Sequence, residues 1–126
     1  MWIGRALLIV FSGLLTQAAL AAQHIVDIVW DGSGQFSQSA RVPPGKFVEV
    51  CGALQVGDSI RWAFSAGAPL DFNVHYHVGK SAEFPAKLTQ VAAGENLLRV
   101  GTKETYCWMW TNKSREEVRL DVKLQR

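Results

Sequence analysis

The chain contains only two cysteines, Cys51 and Cys107, and each lies in a run patterned as a β-strand. No other feature restricts the fold as much, because a bond between them ties together segments far apart in sequence. The first run spans 46–51 and the second 105–111, with Trp62 between them in Ile60-Arg61-Trp62-Ala63-Phe64. A cysteine, a strand tryptophan and a second cysteine beside a tyrosine is a pattern that pins two packed sheets together. Closing a loop of about 56 residues removes roughly 4 kcal/mol of chain entropy from the unfolded state. For a small domain that is a large share of its net stability. The alternative is a pair of buried free thiols.

A disulfide needs an oxidising compartment, and the first residues supply a route to one. Met1-Trp2-Ile3-Gly4-Arg5 is a short positive segment, and 6–15 is an apolar run broken only by Ser12 and Gly13. Ala19-Leu20-Ala21 offers the small residues that a signal peptidase cuts after. The expectation is a signal peptide over 1–21, a single domain over 22–126, and a periplasmic or secreted product. The apolar run is short for a membrane anchor, which needs about 20 residues, and no cysteine at the cleavage point invites lipidation. The whole chain carries a formal net charge of +2, and loss of Arg5 leaves +1. Neither nucleic acid nor an anionic membrane is an obligate partner at that balance.

The remainder reads as strands. Breaks at Asp31-Gly32-Ser33-Gly34, Pro43-Pro44-Gly45, Val56-Gly57-Asp58 and Ser65-Ala66-Gly67-Ala68-Pro69 separate alternating runs. Val118, Leu120, Val122 and Leu124 alternate with Arg119, Asp121 and Lys123, the clearest one-face-buried pattern in the chain. Pro85 demotes 84–91 to an edge or a loop. Seven or eight strands with frequent turns and no convincing helix predict an all-β fold. Its form is an antiparallel, immunoglobulin-like β-sandwich with one inter-sheet disulfide.

Two segments carry candidate chemistry. In the run from Asp71 to Val78, a period of two places Phe72, Val74, Tyr76 and Val78 on one face. Asp71, Asn73, His75 and His77 take the other. Two imidazoles two residues apart on a strand point the same way and can chelate one metal ion; the plainer reading is a solvated polar face. In Tyr106-Cys107-Trp108-Met109-Trp110, a core-facing Cys107 carries Met109 inward and turns Tyr106, Trp108 and Trp110 outward. An outer aromatic row of that kind marks a binding surface unless another segment covers it. A copper site is a further reading, because imidazole and soft sulfur suit that metal. Its ligands are His75 and His77 with Met109, with thiolate Cys107, or with a carboxylate such as Asp71 or Glu83. No nucleophile–base set, phosphate loop or zinc motif appears in the sequence.

The ending of the chain, Tyr106-Cys107-Trp108-Met109-Trp110-Thr111-Asn112-Lys113-Ser114 followed by an alternating strand, resembles that of a GOLD (Golgi dynamics) domain. Asp71-Phe72-Asn73-Val74 is similar to that family's central strand, and Cys51 stands where its first disulfide cysteine would. The resemblance spans residues 42–124 and implies a GOLD-like sandwich that binds proteins or lipids. No membrane or coiled-coil extension follows, so only fold and a generic binding role carry over. A weaker resemblance, through Val56-Gly57-Asp58-Ser59-Ile60-Arg61-Trp62, is to cupredoxins. No histidine follows Cys107, so it does not extend to a blue-copper site.

The functional expectation is a non-enzymatic exported binding or accessory domain. It contacts a partner protein or small ligand through His75, His77, Trp108 and Trp110, with copper binding or delivery as the alternative.

Overall fold

A computed structural model describes residues 24–126, so the expected signal peptide and its cleavage point lie outside the described residues. Seven strands follow one another: β1 (Ile25–Asp27), β2 (Gln35–Val42), β3 (Phe47–Leu54), β4 (Ser59–Val78), β5 (Ser81–Arg99), β6 (Glu104–Thr111) and β7 (Val118–Gln125). They form one sheet in the order β1-β3-β6-β4-β7-β2, with β5 on the other side of β4. All pairings are antiparallel except that of β1 with β3, which is parallel.

The length of β4 explains how one sheet makes two layers. Its first part, Arg61–Ala66, pairs with β7, whereas Asp71–His75 pairs with β6. Between these parts lies Gly67-Ala68-Pro69, where β4 bends. β5 follows β4 around the bend with register shifts at Ser65/Leu70, Leu70/Phe72 and Val74/Tyr76. Extra residues on one strand are how a sheet curls without losing its ladder. The β7–β2 half therefore folds over the β6–β3 half, and the inner faces of both meet in one core.

That core is read directly from the alternation. Ile60, Trp62, Phe64, Leu70, Phe72 and Val74 of β4 all face inward across the bend and are buried. Val118, Leu120, Val122 and Leu124 of β7 face them, as expected from their spacing. Trp62, Phe64, Phe72 and Trp110 pack in stacked, tilted and edge-on pairs with centroids 4.8–6.2 Å apart. Phe64 lies over Gly94 of β5, where a Cβ would come within 2.8 Å of the ring. Only glycine lets the aromatic ring approach that backbone.

Cys51 and Cys107 are bonded, as expected, but they do not join two layers. They stand directly opposite each other on the adjacent strands β3 and β6 of the same half-sheet, with Cα atoms 4.1 Å apart. The expected faces of β6 are also reversed. Tyr106, Trp108 and Trp110 point into the core, with Trp108 at 0% and Trp110 at 1% exposure. Cys107 and Met109 take the outer face. The reason is area: three aromatic side chains of roughly 150–250 Å² each outweigh a half-cystine and a methionine when one face must be buried. Tyr106 donates its hydroxyl hydrogen to the Thr102 carbonyl at 2.9 Å, so its polar end is satisfied inside.

Two polar residues fasten the connections. Asn112 is fully buried and donates from Nδ2 to the Val42 and Glu116 carbonyls, while its Oδ1 accepts from the backbone and hydroxyl of Ser114. Asp71 sits just past the bend of β4. It accepts from Lys113 at 2.9 Å and from both the backbone and side-chain nitrogens of Gln90, which has a positive φ of 50°. The Lys113 ammonium and then Gln90 hold the Asp71 carboxyl down to about 2 from its ordinary 3.8.

The face assignment predicts a contrast between neighbours. Trp110→Ala should cost about 3–5 kcal/mol in urea unfolding, and Met109→Ala about 1 kcal/mol or less. Equal losses would contradict an inward Trp110. Asp71 favours folding when ionised, so its contribution is complete above the ordinary value of 3.8 and disappears as pH falls towards about 2. Asp71→Asn should remove that part of the acid dependence, seen as a flatter melting temperature across that window.

Candidate functional site

The outer face of the β3–β6–β4–β5 half-sheet is organised in rows by strand register. One row runs Cys51, Cys107, His75; the next runs Glu49, Met109, Asn73, Lys87. Opposite His75, β5 carries two residues, Phe84 and Pro85, one more than the ladder needs, because Val74 pairs with Ala86 but Tyr76 with Glu83. The bulge brings the Phe84 ring to 6.0 Å from that of His75. Proline tolerates such a place because the bulge needs no ladder donor there. The Lys87 ammonium lies over the Phe84 ring, 5.1 Å from its centroid.

His75 is consequently enclosed although it belongs to an outer face, with only 6% of its surface exposed. Its Nδ1 lies 2.8 Å from Asn73 Oδ1, an atom that only accepts, so Nδ1 carries the proton. Its Nε2 reaches across β6 to 3.4 Å from Glu49 Oε1. Burial lowers the His75 pKa below 6.5; Glu49 acts in the opposite sense, and His77 adds to the lowering. The imidazole of His77 is 5.1 Å from that of His75, edge to face, and is exposed.

The structure thus brings His75, His77 and Met109 to one face and removes Trp108 and Trp110 from it. Expectation had set the sulfurs inward and the tryptophans outward. The tryptophans hold β6 in place from below, and neither indole N–H has an acceptor. Glu83 is opposite Tyr76, one step beyond the bulge, and Asp71 is engaged by Lys113 and Gln90. Two members of the site went unnoticed in the sequence. Glu49 shares the face of Cys51 by simple alternation, and that signal was available. Phe84 enters only because of the bulge, for which Pro85 was the sole hint.

Around this face the β4–β5 hairpin projects to a tip at Gly79-Lys80, where Gly79 has a φ of +59°. Val78 beside the tip is 51% exposed and Phe84 is 48% exposed. Among the described residues, the ligand atoms of Glu49, Cys51 and Cys107 lie within 4.8 Å of one another. With both sulfurs in the disulfide, only the carboxylate of that group can ligate.

A measurable consequence follows for the enclosed imidazole. In an NMR titration the His75 ring should change charge below its ordinary value of 6.5. Glu49→Gln should lower the midpoint further, since the carboxylate is the neighbour that favours the cation. A midpoint that rose in this variant would contradict the contact across β6.

No protein-family model matches the sequence, and neither does any curated protein. Solved structures do match at the level of fold. The chain is similar to the periplasmic inhibitor of g-type lysozyme, PliG, of Aeromonas hydrophila, at 12% identity and a TM-score of 0.55, over 80% of this chain and 94% of that one. PliG of Salmonella Typhimurium matches at 10% identity and 0.53, over 80% and 96%. The Yersinia pseudotuberculosis-derived mitogen matches at 10% and 0.57, over 72% and 84%. At such identities the likeness is one of fold.

Proposed function

We propose that the chain is a non-enzymatic, exported binding domain that acts in the periplasm. Its partner is a protein, met by the projecting end of the β4–β5 hairpin and the outer face beside it. The observation that carries this reading is the Phe84 ring, 48% exposed on the same outer face as His75 and His77 although the core beneath is filled. An aromatic anchor with a polar surround is the composition of a contact surface. The half-buried Phe84 is already braced by His75 and Lys87, so little side-chain freedom is lost on contact. His75 is the support and His77 the contact; Trp108 and Trp110 serve from beneath by fixing the strand.

The chemistry at the tip narrows the partner. Along the exposed hairpin Lys80 and Lys87 outnumber Glu83, which suits a surface lined with carboxylates. A glycoside-hydrolase cleft carries a pair of catalytic carboxylates. Two of the similar folds are named as periplasmic inhibitors of g-type lysozyme, so that enzyme is the partner to test first. The GOLD-like ending is consistent with the same general role, binding a partner without catalysis.

The test measures g-type lysozyme lysis of a cell-wall suspension, together with direct binding of the enzyme to immobilised residues 22–126. Saturable inhibition is expected, with Phe84→Ser and Lys80→Glu each weakening binding by about tenfold or more. Absence of both binding and inhibition removes lysozyme as the partner. Binding unaffected by either substitution removes the hairpin as the contact.

A second reading, copper binding, is favoured by one finding, that Met109 shares the outer face with His75 and His77. A thioether and two imidazoles suit copper. Copper titration of the oxidised protein, with His77→Ala as the comparison, addresses it separately.

A further inference from the structure

The disulfide lies in the middle of the outer face, beneath the reach of Glu49 towards His75. These four residues come from three adjacent strands; Glu49 lies near both sulfurs and near His75, although bonded sulfurs are weak donors that lack the charge of a thiolate. We propose that Cys51, Cys107, Glu49 and His75 form a zinc-class metal site that opens when the disulfide is reduced. The site shares His75 with the support of the hairpin contact but does not need that contact to form.

Geometry supplies the first support. The Glu49 carboxylate and both sulfurs lie within 4.8 Å of one another, and His75 Nε2 is 3.4 Å from Glu49 Oε1. A tetrahedral ion held at about 2.0–2.3 Å from each donor needs donors about 3.3–3.8 Å apart, so the freed thiolates and the His75 ring close in slightly around it. Two thiolates, an imidazole and a carboxylate are donors that zinc accepts together.

The imidazole supplies the second. With Nδ1 held at 2.8 Å by Asn73 Oδ1, the ring turns Nε2 towards the Glu49 carboxylate oxygen 3.4 Å away. A hydrogen bond from the far ring nitrogen to an oxygen is also how metal-bound histidines are oriented. Asn73 therefore already holds the ring in a ligating pose.

The third is that reduction does not dissolve the arrangement. β3 and β6 pair residue for residue from Phe47 with Thr111 to Leu54 with Glu104, and Cys51 and Cys107 stand opposite within that ladder. Trp108 and Trp110 anchor the same strand from the core. Opening the bond leaves two thiols on neighbouring backbones that stay paired.

The chemistry balances with a dithiol as the reductant. One of its thiolates attacks a sulfur of the Cys51–Cys107 bond, and its second thiol resolves the mixed disulfide. The reductant leaves as its own disulfide, and both cysteines become thiols. Zinc then forms two Zn–S bonds while the two thiol protons pass to solvent.

The experiment compares oxidised protein with protein reduced by a water-soluble trialkylphosphine, which takes oxygen from water to become its oxide. Zinc(II) binding is followed by competition with a chromophoric chelator, and cobalt(II) serves as a coloured substitute. Reduced protein should bind one ion at least about 100-fold more tightly than oxidised protein, and cobalt should show thiolate charge-transfer and tetrahedral bands. Glu49→Gln and His75→Gln should each weaken zinc by roughly tenfold or more, while His77→Ala leaves it unchanged. Equal affinity in the two redox states overturns the proposal, as does zinc binding that ignores both substitutions. Circular dichroism accompanies each step; reduced protein that loses its strand signal and does not regain it with zinc also overturns it. Partner binding is measured on oxidised protein, so either idea can fail alone.

Discussion

The inward face of β4 is the constraint on which the rest of the molecule depends. Ile60, Trp62 and Phe64 must be covered on one side of the bend, and Leu70, Phe72 and Val74 on the other. No single flat layer can do both. The strand therefore changes neighbours, from β7 to β6, while β5 follows it around the curve. Every inner position keeps its parity through the turn, so the two halves close on one continuous apolar interior. The aromatic cluster at the fold line fills the widest part of that space.

Features of the outer surface follow from this arrangement. Curling the sheet needs bulges in β5, and the bulge opposite His75 places Phe84 over an imidazole that would otherwise be solvated. Filling the core with the aromatic side chains of β6 sends Cys107 and Met109 to the opposite face. The disulfide becomes a cross-strand link inside one half-sheet, surrounded by Glu49, His75 and Asn73. Its contribution to stability through the unfolded chain, about 4 kcal/mol for a loop of this length, is the same on either face. Its chemical surroundings are not the same. On the outer face it lies against polar side chains, with Cys51 and Cys107 themselves buried.

Much of the fold was legible from alternation alone. The inward and outward residues of β7, and Trp62 with its neighbours in β4, stand where a period of two puts them. The polar face of Asp71, Asn73, His75 and His77 was equally plain. β6 was read in reverse because the cysteine was assumed to face the core, as in a sandwich pinned between its sheets. A comparison of side-chain areas along 106–110 would have favoured the aromatics. Residues 84–91 were ambiguous for a sound reason, since Pro85 marks a bulge and bulges break the period on which strand reading relies.

The sequence by itself determined the class of structure, the pairing of its two cysteines, the sharing of one face by two histidines and most of the turns, whereas the break expected at Ser65–Pro69 is a bend within the continuous strand β4. Each of these depends on neighbouring residues, on a period of two, or on there being only one pair to form. Only the tertiary structure decided which side of β6 is buried, that the disulfide joins adjacent strands, and that Glu49 meets His75 across a third strand. Those outcomes depend on register between segments dozens of residues apart, and register is set by the competition of all apolar faces for a single interior.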